Sequence, residues 1–231
     1  MRTNLSLPNG ASLYGTYISP TGGNVFYVAA SGGSNGNDGL SPLRAFSTLA
    51  QGITAATANN GDVIVMLPGA HSYAASVAAS KAGITITGFP GNFMRPRASV
   101  VTTADDEVIN VTAADVEIAW LRVIPVTTKA GIDYTTAADR LHVHDCSFDL
   151  VTAAVSTSTK GVATTGATQA PSHILISHNY FESDGAQGSG VEVGDAINFV
   201  VEHNVFVVRA GGTWNHAATM TGVLGLGEFR D

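Results

Sequence analysis

Two histidines of one short segment have the residue type and spacing of a possible metal pair. His142 and His144 are two residues apart, and on a β-strand this spacing places both rings on one face. Imidazole is a common ligand of zinc and copper. No third ligand is evident among the outward neighbours expected from the following repeats, which are Leu175, Ser177, Val200 and Glu202. We therefore favour surface histidines over a metal site.

Three further polar residues follow equivalent short segments. Asp145, His178 and His203 would stack at one corner of a repetitive fold, with His178 one repeat away from Asp145. A carboxylate beside an imidazole can carry a proton. Hydrogen bonding that holds a turn is the commoner role of such a pair, and no fixed motif favours the catalytic alternative.

Other candidates for chemistry have plainer explanations. The acidic cluster Asp105-Asp106-Glu107 precedes an apolar segment, where we expect a solvated turn. The single cysteine, Cys146, lies inside a repeat and predicts a buried small side chain rather than a reactive thiol. The loop 31–39 is rich in Asn and Gly but lacks a regular spacing of cation ligands, so turn formation accounts for it.

The element that must position these residues occurs three times. Each copy opens with an apolar residue and has another apolar residue two places on, a small or amide residue five places on, and Phe seven places on. The copies cover residues 141–148, 174–181 and 199–206, and weaker copies begin at Ile84 and Val116. The five starts are 32, 25, 33 and 25 residues apart, which is typical of a solenoid with variable loops.

A second, shorter strand is predicted before most copies, at 108–111, 132–134 and 191–193. Each coil should therefore contain a strand, a turn, another strand and a longer excursion. Stacking places equivalent side chains above one another at about 4.8 Å. We expect three interior columns, formed by Val116, Leu141, Ile174 and Phe199, by Ile118, Val143, Ile176 and Val201, and by Val123, Phe148, Phe181 and Phe206. Asn179 and Asn204 fall at a bend, where stacked amides can bond to each other and to turn backbone.

The region before the repeats contains the only predicted helix. Residues 1–24 combine turn formers with short apolar pieces, and we expect an extended arm on this domain or on a neighbouring subunit, or else a plain N-terminal strand. A helix with Ser47 as its N-cap is predicted between strands at 25–29 and 63–67.

This region carries four motifs, which are Phe26-Tyr27-Val28, Gly36-Asn37-Asp38-Gly39-Leu40-Ser41-Pro42, Phe46-Ser47-Thr48-Leu49 and Gly61-Asp62-Val63-Ile64-Val65-Met66-Leu67-Pro68-Gly69. With the repeats over 84–208, they resemble right-handed parallel β-helix proteins of the pectin-lyase-like superfamily. The resemblance implies an all-β solenoid whose single N-terminal α-helix caps the open end. We expect a β-helix domain over 25–231, with the cap at 25–70 and coils over about 71–231, after the arm 1–24.

The resemblance also implies what an enzyme of this kind would need. A polysaccharide lyase would need carboxylates that hold calcium and a nearby Lys or Arg base, which removes the proton next to a uronic carboxylate. The candidates expected on one face are Asp133, Lys129, Arg122 and Arg140, but they match no family motif closely enough to receive roles. A hydrolase would need two facing carboxylates about 5–10 Å apart, which a sequence cannot reveal.

Composition narrows the classes of partner. Apolar residues make up 45% of the 231 residues and charged residues 13%, so a packed core is expected. A formal charge of −7 with three lysines argues against a nucleic-acid partner. No run approaches the roughly 18 apolar residues of a membrane-spanning helix, and the N-terminus lacks the apolar block of a signal peptide. We expect a protein made in the cytoplasm, without a membrane partner.

Two functions are carried forward as hypotheses. The first is a bacteriophage virion protein, a homotrimeric decoration or cement protein similar to tailspikes that binds the major capsid protein or other virion subunits. The missing signal peptide, the arm and a C-terminal segment without a predicted closing cap favour it. The alternative is a lyase or hydrolase of acidic polysaccharide, or a tailspike-type glycan-binding protein, by fold-level analogy. No catalytic, cofactor-binding or metal residue is assigned, and a non-enzymatic protein is favoured.

Overall fold

The structure is a computed structural model of the chain, and it describes residues 22–90, 94, 96–125, 129–150, 159–164, 171–183, 188–194, 196–208, 214–221 and 227–230. Within these ranges, twenty strands form three parallel sheets, which we call sheets A, B and C. Each strand pairs in parallel with the strand one coil before or after it. The fold is all-β, a right-handed parallel β-helix with a capping α-helix, as the sequence predicts.

The three sheets run side by side along the solenoid. Sheet A contains β1 (Val25–Val28), β2 (Val63–Met66), β5 (Thr85–Thr87), β8 (Glu117–Ala119), β11 (His142–His144), β14 (Leu175–Ser177), β17 (Phe199–Glu202) and β20 (Gly227–Arg230). Sheet B contains β3 (Gly69–Tyr73), β6 (Ala98–Thr102), β9 (Leu121–Ile124), β12 (Ser147–Leu150), β15 (Tyr180–Ser183) and β18 (Val205–Val208). Sheet C contains β4 (Val77–Ala79), β7 (Ile109–Val111), β10 (Ala130–Tyr134), β13 (Lys160–Thr164), β16 (Gly188–Gly194) and β19 (Trp214–Thr221).

Each coil has three strands, so the prediction of two strands is wrong. The extra strand belongs to sheet B and lies inside the repeated segment, as β12 does in the copy at 141–148. Between β11 and β12 the chain turns at Asp145, whose φ of 53° lies in the left-handed region. Because neither Gly nor Pro marks this bend, the two strands look like one element in the sequence.

Non-glycine residues with positive φ bound the strands of sheet A on both sides. Those before the strands have φ of 56 to 61° and are Asp115, Arg140, His173 and Asn198. Those after the strands have φ of 53 to 57° and are Trp120, Asp145, His178 and His203. Each pair is five residues apart, so the bends enclose the same number of residues in all four coils. The left-handed conformation costs a non-glycine residue roughly 1–2 kcal/mol, which the packing of the coils must offset.

The predicted interior columns are confirmed. The members of the first two columns are all buried. In the third column, Phe148 and Phe181 stack with ring centroids 4.6 Å apart, and Phe181 and Phe206 stack at 5.0 Å. The same column continues through Val123 towards the N-terminal end, where His71 occupies the equivalent position in β3.

Three glycines of sheet C lie against the aromatic column, and they are Gly131, Gly161 and Gly190. A Cβ atom at Gly161 would lie 2.5 Å from the Phe181 ring and 2.5 Å from the carbonyl oxygen of Gly190. Atoms cannot approach so closely without displacement, so the stacked rings require glycine on the opposite strand.

The predicted amide stack at the bend between sheets A and B is also confirmed. The Asn179 side-chain amide donates to the carbonyl oxygen of Val143 at 2.9 Å and to Asn204 Oδ1 at 3.1 Å. Its own Oδ1 accepts the Cys146 backbone N–H at 3.0 Å. Asn204 repeats the pattern by donating to the Ile176 carbonyl at 2.8 Å. Since Asn179 is fully buried, these bonds satisfy polar groups that water cannot reach.

Helix α1 (Leu49–Ala55) packs against β1, β2 and β4 and so caps the N-terminal end of the solenoid. The predicted N-cap, Ser47, is wrong by one residue, because the Thr48 hydroxyl accepts the Gln51 N–H at 3.2 Å. Ser47 is instead bound to the preceding loop, where Asn35 Oδ1 accepts its backbone N–H and its hydroxyl. The loop 31–39 therefore has a structural role.

Asp62 fastens the cap region to β1. Its buried carboxylate accepts the backbone N–H groups of Asn24 and Thr57 and the side-chain amide of Asn60, each at 2.7 Å. The bonds join three separate segments at the start of β2. Of the predicted arm 1–24, residues 1–21 lie outside the described residues, and the arm stays a prediction.

Candidate functional site

The candidate site is a group of polar side chains on the outer face of sheet A. Val143 points into the core, so its neighbours in β11, His142 and His144, point outwards as predicted. Parallel register places Glu117 of the preceding coil beside His142, and Ser177 of the following coil beside His144.

His144 is held between two carboxylates. Its Nε2 lies 3.0 Å from Glu117 Oε1, and its Nδ1 lies 2.8 Å from Asp145 Oδ2. Ionised carboxylates only accept hydrogen bonds, so this arrangement favours the protonated form of His144, in which both ring nitrogens donate. Thr85 holds the other oxygen of Glu117, with a distance of 3.3 Å between its Oγ1 and Oε2.

The protonation of this group follows from its contacts. Burial disfavours the charge on His144, but the hydrogen bonds to Glu117 and Asp145 outweigh burial and raise the pKa of His144 above its ordinary value. The hydrogen bond from His144 in turn lowers the pKa of Glu117, against the effect of burial. The charged form of the pair is thus stabilised from both sides.

The pKa of His142 is shifted in the opposite direction to that of His144. Its ring stacks on that of His144 with centroids 4.2 Å apart and planes at 28°. Burial, followed by the charge of His144, lowers the pKa of His142 to about 4. Its Nε2 lies 3.3 Å from the Ser177 hydroxyl. His142 is therefore neutral near pH 7, with one ring nitrogen able to accept a proton.

Together the stacked rings place a neutral histidine beside one whose protonated form is stabilised by two carboxylates. Neighbouring titratable groups whose pKa values are pushed apart are the usual basis of acid and base roles. Both ring environments are only partly buried, so a ligand can approach them. In the described part of the chain, no three His, Cys, Asp or Glu side chains are placed to hold a metal ion.

Glu117 is the functional residue that sequence reasoning missed. The outward neighbours expected for His142 and His144 from the sequence, Leu175, Ser177, Val200 and Glu202, all belong to the coils that follow them. The carboxylate comes from the coil before, where the weaker copy at Val116 places Glu117 on the outward face. The register of that copy was a sufficient signal, since the step from Val116 to Leu141 aligns Glu117 with His142.

The predicted corner stack is partly present. His178 and His203 stack at successive bends, with ring centroids 4.9 Å apart. Asp145 occupies the equivalent bend one coil earlier, but its carboxylate binds His144. The sequence favours a structural hydrogen bond over a proton pair for Asp145 and His178, and in the structure the Asp145 carboxylate pairs with His144 instead.

The residues considered for a lyase site do not share one face, so that prediction is wrong. Asp133 is buried in β10 of sheet C. The three cations pair with carboxylates in different parts of the coil, Arg122 with Asp149, Arg140 with Asp115, and Lys129 with Glu107. A coil of two strands does not distinguish sheet B from sheet A. The sequence therefore predicted Arg122, which lies in β9 of sheet B, on the same face as residues near sheet A.

The acidic cluster and the cysteine have structural roles. Asp106 Oδ2 accepts the Ser76 N–H at 2.9 Å and Oδ1 accepts the Glu107 N–H at 3.0 Å, which fastens the turn. A hydrogen bond with Asp106, followed by burial, raises the pKa of Glu107. Cys146 is fully buried, as predicted, and burial raises the pKa of its thiol to about 12.

Comparison with known proteins bears on the fold alone. No protein-family model and no curated protein matches the chain. Pectin methylesterase PemA from Erwinia chrysanthemi is 15% identical, with a TM-score of 0.45 over 80% of this chain and 66% of that one. A rhamnogalacturonan lyase is 14% identical, with a TM-score of 0.49 over 90% of this chain and 67% of that one. The chain spans about two thirds of the length of these structures.

One further property concerns membranes. Among the residues that the structure describes, no helix is long and apolar enough to cross a bilayer.

Proposed function

We propose that the protein acts on a polysaccharide that contains uronic acids, by acid–base chemistry on the outer face of sheet A. The observation that carries this proposal is the stacked pair of His142 and His144, whose pKa values are shifted in opposite directions. The names of the similar structures, pectin methylesterase and rhamnogalacturonan lyase, are compatible with such a substrate class.

The reaction that fits the pair is an elimination. Neutral His142 takes the proton on the carbon next to the uronic carboxyl group, and a carbon–carbon double bond forms as the glycosidic C–O bond breaks. The leaving oxygen receives a proton from water. Negative charge develops on the carboxyl group in the transition state, and the imidazolium of His144 lies where it can stabilise that charge. Glu117 and Asp145 hold His144 in its charged form.

The net charge of the site favours methyl-esterified uronic units over free uronic acids as substrates. Two carboxylates around one imidazolium leave a net charge of −1, which repels a free uronic carboxylate. A methyl-esterified uronic unit has no such charge, and its carbonyl group also makes the neighbouring proton easier to remove. We therefore expect esterified chains to react faster than free-acid chains.

The test is the formation of unsaturated uronic products, which absorb ultraviolet light. The protein is incubated with methyl-esterified and with de-esterified polygalacturonate, with and without calcium. We expect turnover of the esterified polymer and a loss of about 100-fold or more in His142→Gln, as for removal of a general base. His178→Gln, a histidine change at the adjacent bend, is the matched control and keeps the activity. Failure of the wild-type protein to release product from either polymer contradicts the proposal.

A structural virion role is the second candidate, and the charged pairs between coils favour it. Arg122 Nε lies 2.7 Å from Asp149 Oδ2, and Lys160 Nζ lies 2.6 Å from Glu192 Oε2, each pair linking successive coils. With the stacked Phe rings and the amide bonds of Asn179, these contacts fasten each coil to the next, which suits a rigid shaft.

The virion candidate has its own test. As a homotrimeric decoration protein, the chain has a solution mass of three copies and sediments with phage shells that expose the major capsid protein. A monomeric mass together with no binding to shells contradicts this candidate and leaves the enzymatic proposal untouched.

A further inference from the structure

The C-terminal end of sheet A differs from its N-terminal end. At the N-terminal end, α1 covers the first strands. At the other end, β20 pairs with β17 on one side only and is the last strand of sheet A in the described ranges. All four residues of β20 are exposed. An exposed strand edge offers unpaired backbone groups to another strand.

An interior column is exposed at the same end of the described ranges. Phe229 continues an interior column, opposite Val201, and its ring packs edge-on against Phe199 with centroids 5.3 Å apart. The residue exposure of Phe229 is nevertheless 46%, and Val205 and Val208 of β18, the last strand of sheet B in the described ranges, are each 43% exposed. Exposed apolar side chains therefore occur on the last described strands of both sheets, at the same end of the solenoid.

The charges of β20 are complementary to themselves in an antiparallel pair. Phe229 is flanked by Glu228 and Arg230, which both point to the outer face. If two β20 strands run antiparallel with Phe229 opposite its counterpart, Glu228 of each copy lies opposite Arg230 of the other. Directly opposed residues share a face, so this register gives two ion pairs outside and one aromatic pair inside.

We infer that two copies of this chain associate tail to tail through β20. The contact is isologous, with one two-fold axis at Phe229, and it makes the two A sheets continuous. It covers the exposed ring of Phe229 in each copy with that of the other. Within one chain, Arg230 already contacts Glu228, and its Nη1 lies 3.5 Å from Glu202 Oε2, so association exchanges partners rather than burying new charges.

The inference is independent of the proposed function, since no residue of the candidate site takes part. It also differs from the trimer of the second candidate, because an isologous contact joins copies in pairs. Head-to-tail stacking of coils is disfavoured, because α1 occupies the end that a second solenoid would need.

The experiment measures solution mass over a range of concentrations by light scattering and sedimentation. The wild-type protein should show two chains. Arg230→Glu places like charges opposite each other at two positions and should weaken association by about tenfold or more. Arg44→Glu, which changes an exposed ion pair with Asp38 at the capped end, is the matched control and should leave the mass unchanged. Circular dichroism confirms that each variant is folded.

Mixing two single variants separates a specific contact from general loss of solubility or folding. Glu228→Arg gives two cations in β20, and Arg230→Glu gives two anions, so each variant alone should be mainly monomeric. An equimolar mixture should form the mixed dimer, since both opposed pairs regain opposite charges. A monomeric wild-type protein, an odd number of chains, or a dimer that Arg230→Glu does not weaken each overturns the inference.

Discussion

Phe181 is the central member of the aromatic column, and its ring lies nearly parallel to those of Phe148 and Phe206. The side chain is fully buried, and Gly161 faces it from sheet C. A single residue therefore contacts three coils, and the loss of its ring leaves a cavity in the core.

Phe181→Ala should lower the free energy of unfolding by about 3–5 kcal/mol, the usual cost of truncating a buried Phe. Urea unfolding followed by circular dichroism measures the change. Leu43→Ala is the control, because Leu43 is 95% exposed and surface changes of this kind stay within about 0.5 kcal/mol. Equal stability of the two variants would mean that Phe181 is not an interior residue.

His71 is the one titratable member of the same column. It is buried, its Nε2 donates to the Leu67 carbonyl at 2.8 Å, and no partner for its Nδ1 is found in the described chain. Burial lowers the pKa of His71, although the bond to Leu67 acts in the other direction. The folded protein therefore resists protonation at this site more than the unfolded chain does.

His71→Leu should flatten the dependence of stability on pH in the acid range. The unfolded chain takes up a proton near pH 6.5 while the folded chain does not, so stability falls as the pH drops from about 6.5 to the lower folded pKa, by up to about 1.4 kcal/mol per pH unit. Above that range the residue makes no pH-dependent contribution. Unfolding of both proteins at about pH 7.5 and about pH 5.5 measures the difference, and parallel profiles would refute the prediction.

For single residues, the sequence predicts the position of those that recur in the repeats, but not of those that occur once. Phe181 and Asn179 repeat in register, so their positions follow from the pattern alone. His71 replaces an apolar residue in an early coil that has no recognisable copy, so its burial could not be predicted. Glu117 was predictable in principle, but its partner His144 is diagonal to it rather than directly opposite.

Among the elements, sheet C is shaped by the rings that it faces. Gly131, Gly161 and Gly190 occupy neighbouring strands at the place where the Phe rings of sheet B approach. The stacked Phe rings need glycine on the facing strands, because a Cβ atom there would clash with them. A substitution at one of these glycines therefore requires the rings to move.

Gly161→Ala should destabilise the protein by about 1–3 kcal/mol, because the new Cβ meets both the Phe181 ring and the Gly190 carbonyl. Gly36→Ala is the matched control. A Cβ atom there would have the Ser34 hydroxyl at 3.6 Å as its nearest neighbour, which is ordinary contact. Thermal unfolding compares the two, and a neutral Gly161→Ala would show that sheets B and C are further apart than described.

The strands of sheet A could be predicted because apolar residues alternate and the copies align. Sheet B could not be separated from it in the three clear copies, since only two residues, neither of them Gly or Pro, lie between β11 and β12, between β14 and β15, and between β17 and β18. The helix was predicted one residue too early at its N-cap, because Ser47 and Thr48 both suit that role. What distinguishes them is the hydrogen bond that the Thr48 hydroxyl accepts from the Gln51 N–H.

In the molecule as a whole, each coil contacts the coil before and the coil after. Stability in such a solenoid is close to a sum of terms for coils and for the interfaces between them. The N-terminal coils gain a further interface with α1, while the last coil of the described ranges pairs with a coil on one side only. Protection from unfolding should therefore decline towards β18 and β20.

Hydrogen exchange followed by mass spectrometry should show this gradient in the Arg230→Glu variant, in which association is weakened. Amides of β8, β11 and β12 should exchange at least tenfold more slowly than those of β18 and β20, since local opening of a terminal coil breaks one interface instead of two. Wild-type protein at high concentration should show slower exchange in β20. Uniform protection along the solenoid would show that the coils unfold together.

The left-handed bends on either side of sheet A give the solenoid a property that matters for its variation. The backbone there already tolerates Asp, Arg, His, Asn and Trp side chains at fixed five-residue intervals. Each such position carries its side chain away from the core. The residue type there can therefore change while the packing of the coil stays the same. Charged, aromatic and amide side chains can therefore replace one another at the bends during evolution while the backbone path of each coil is retained.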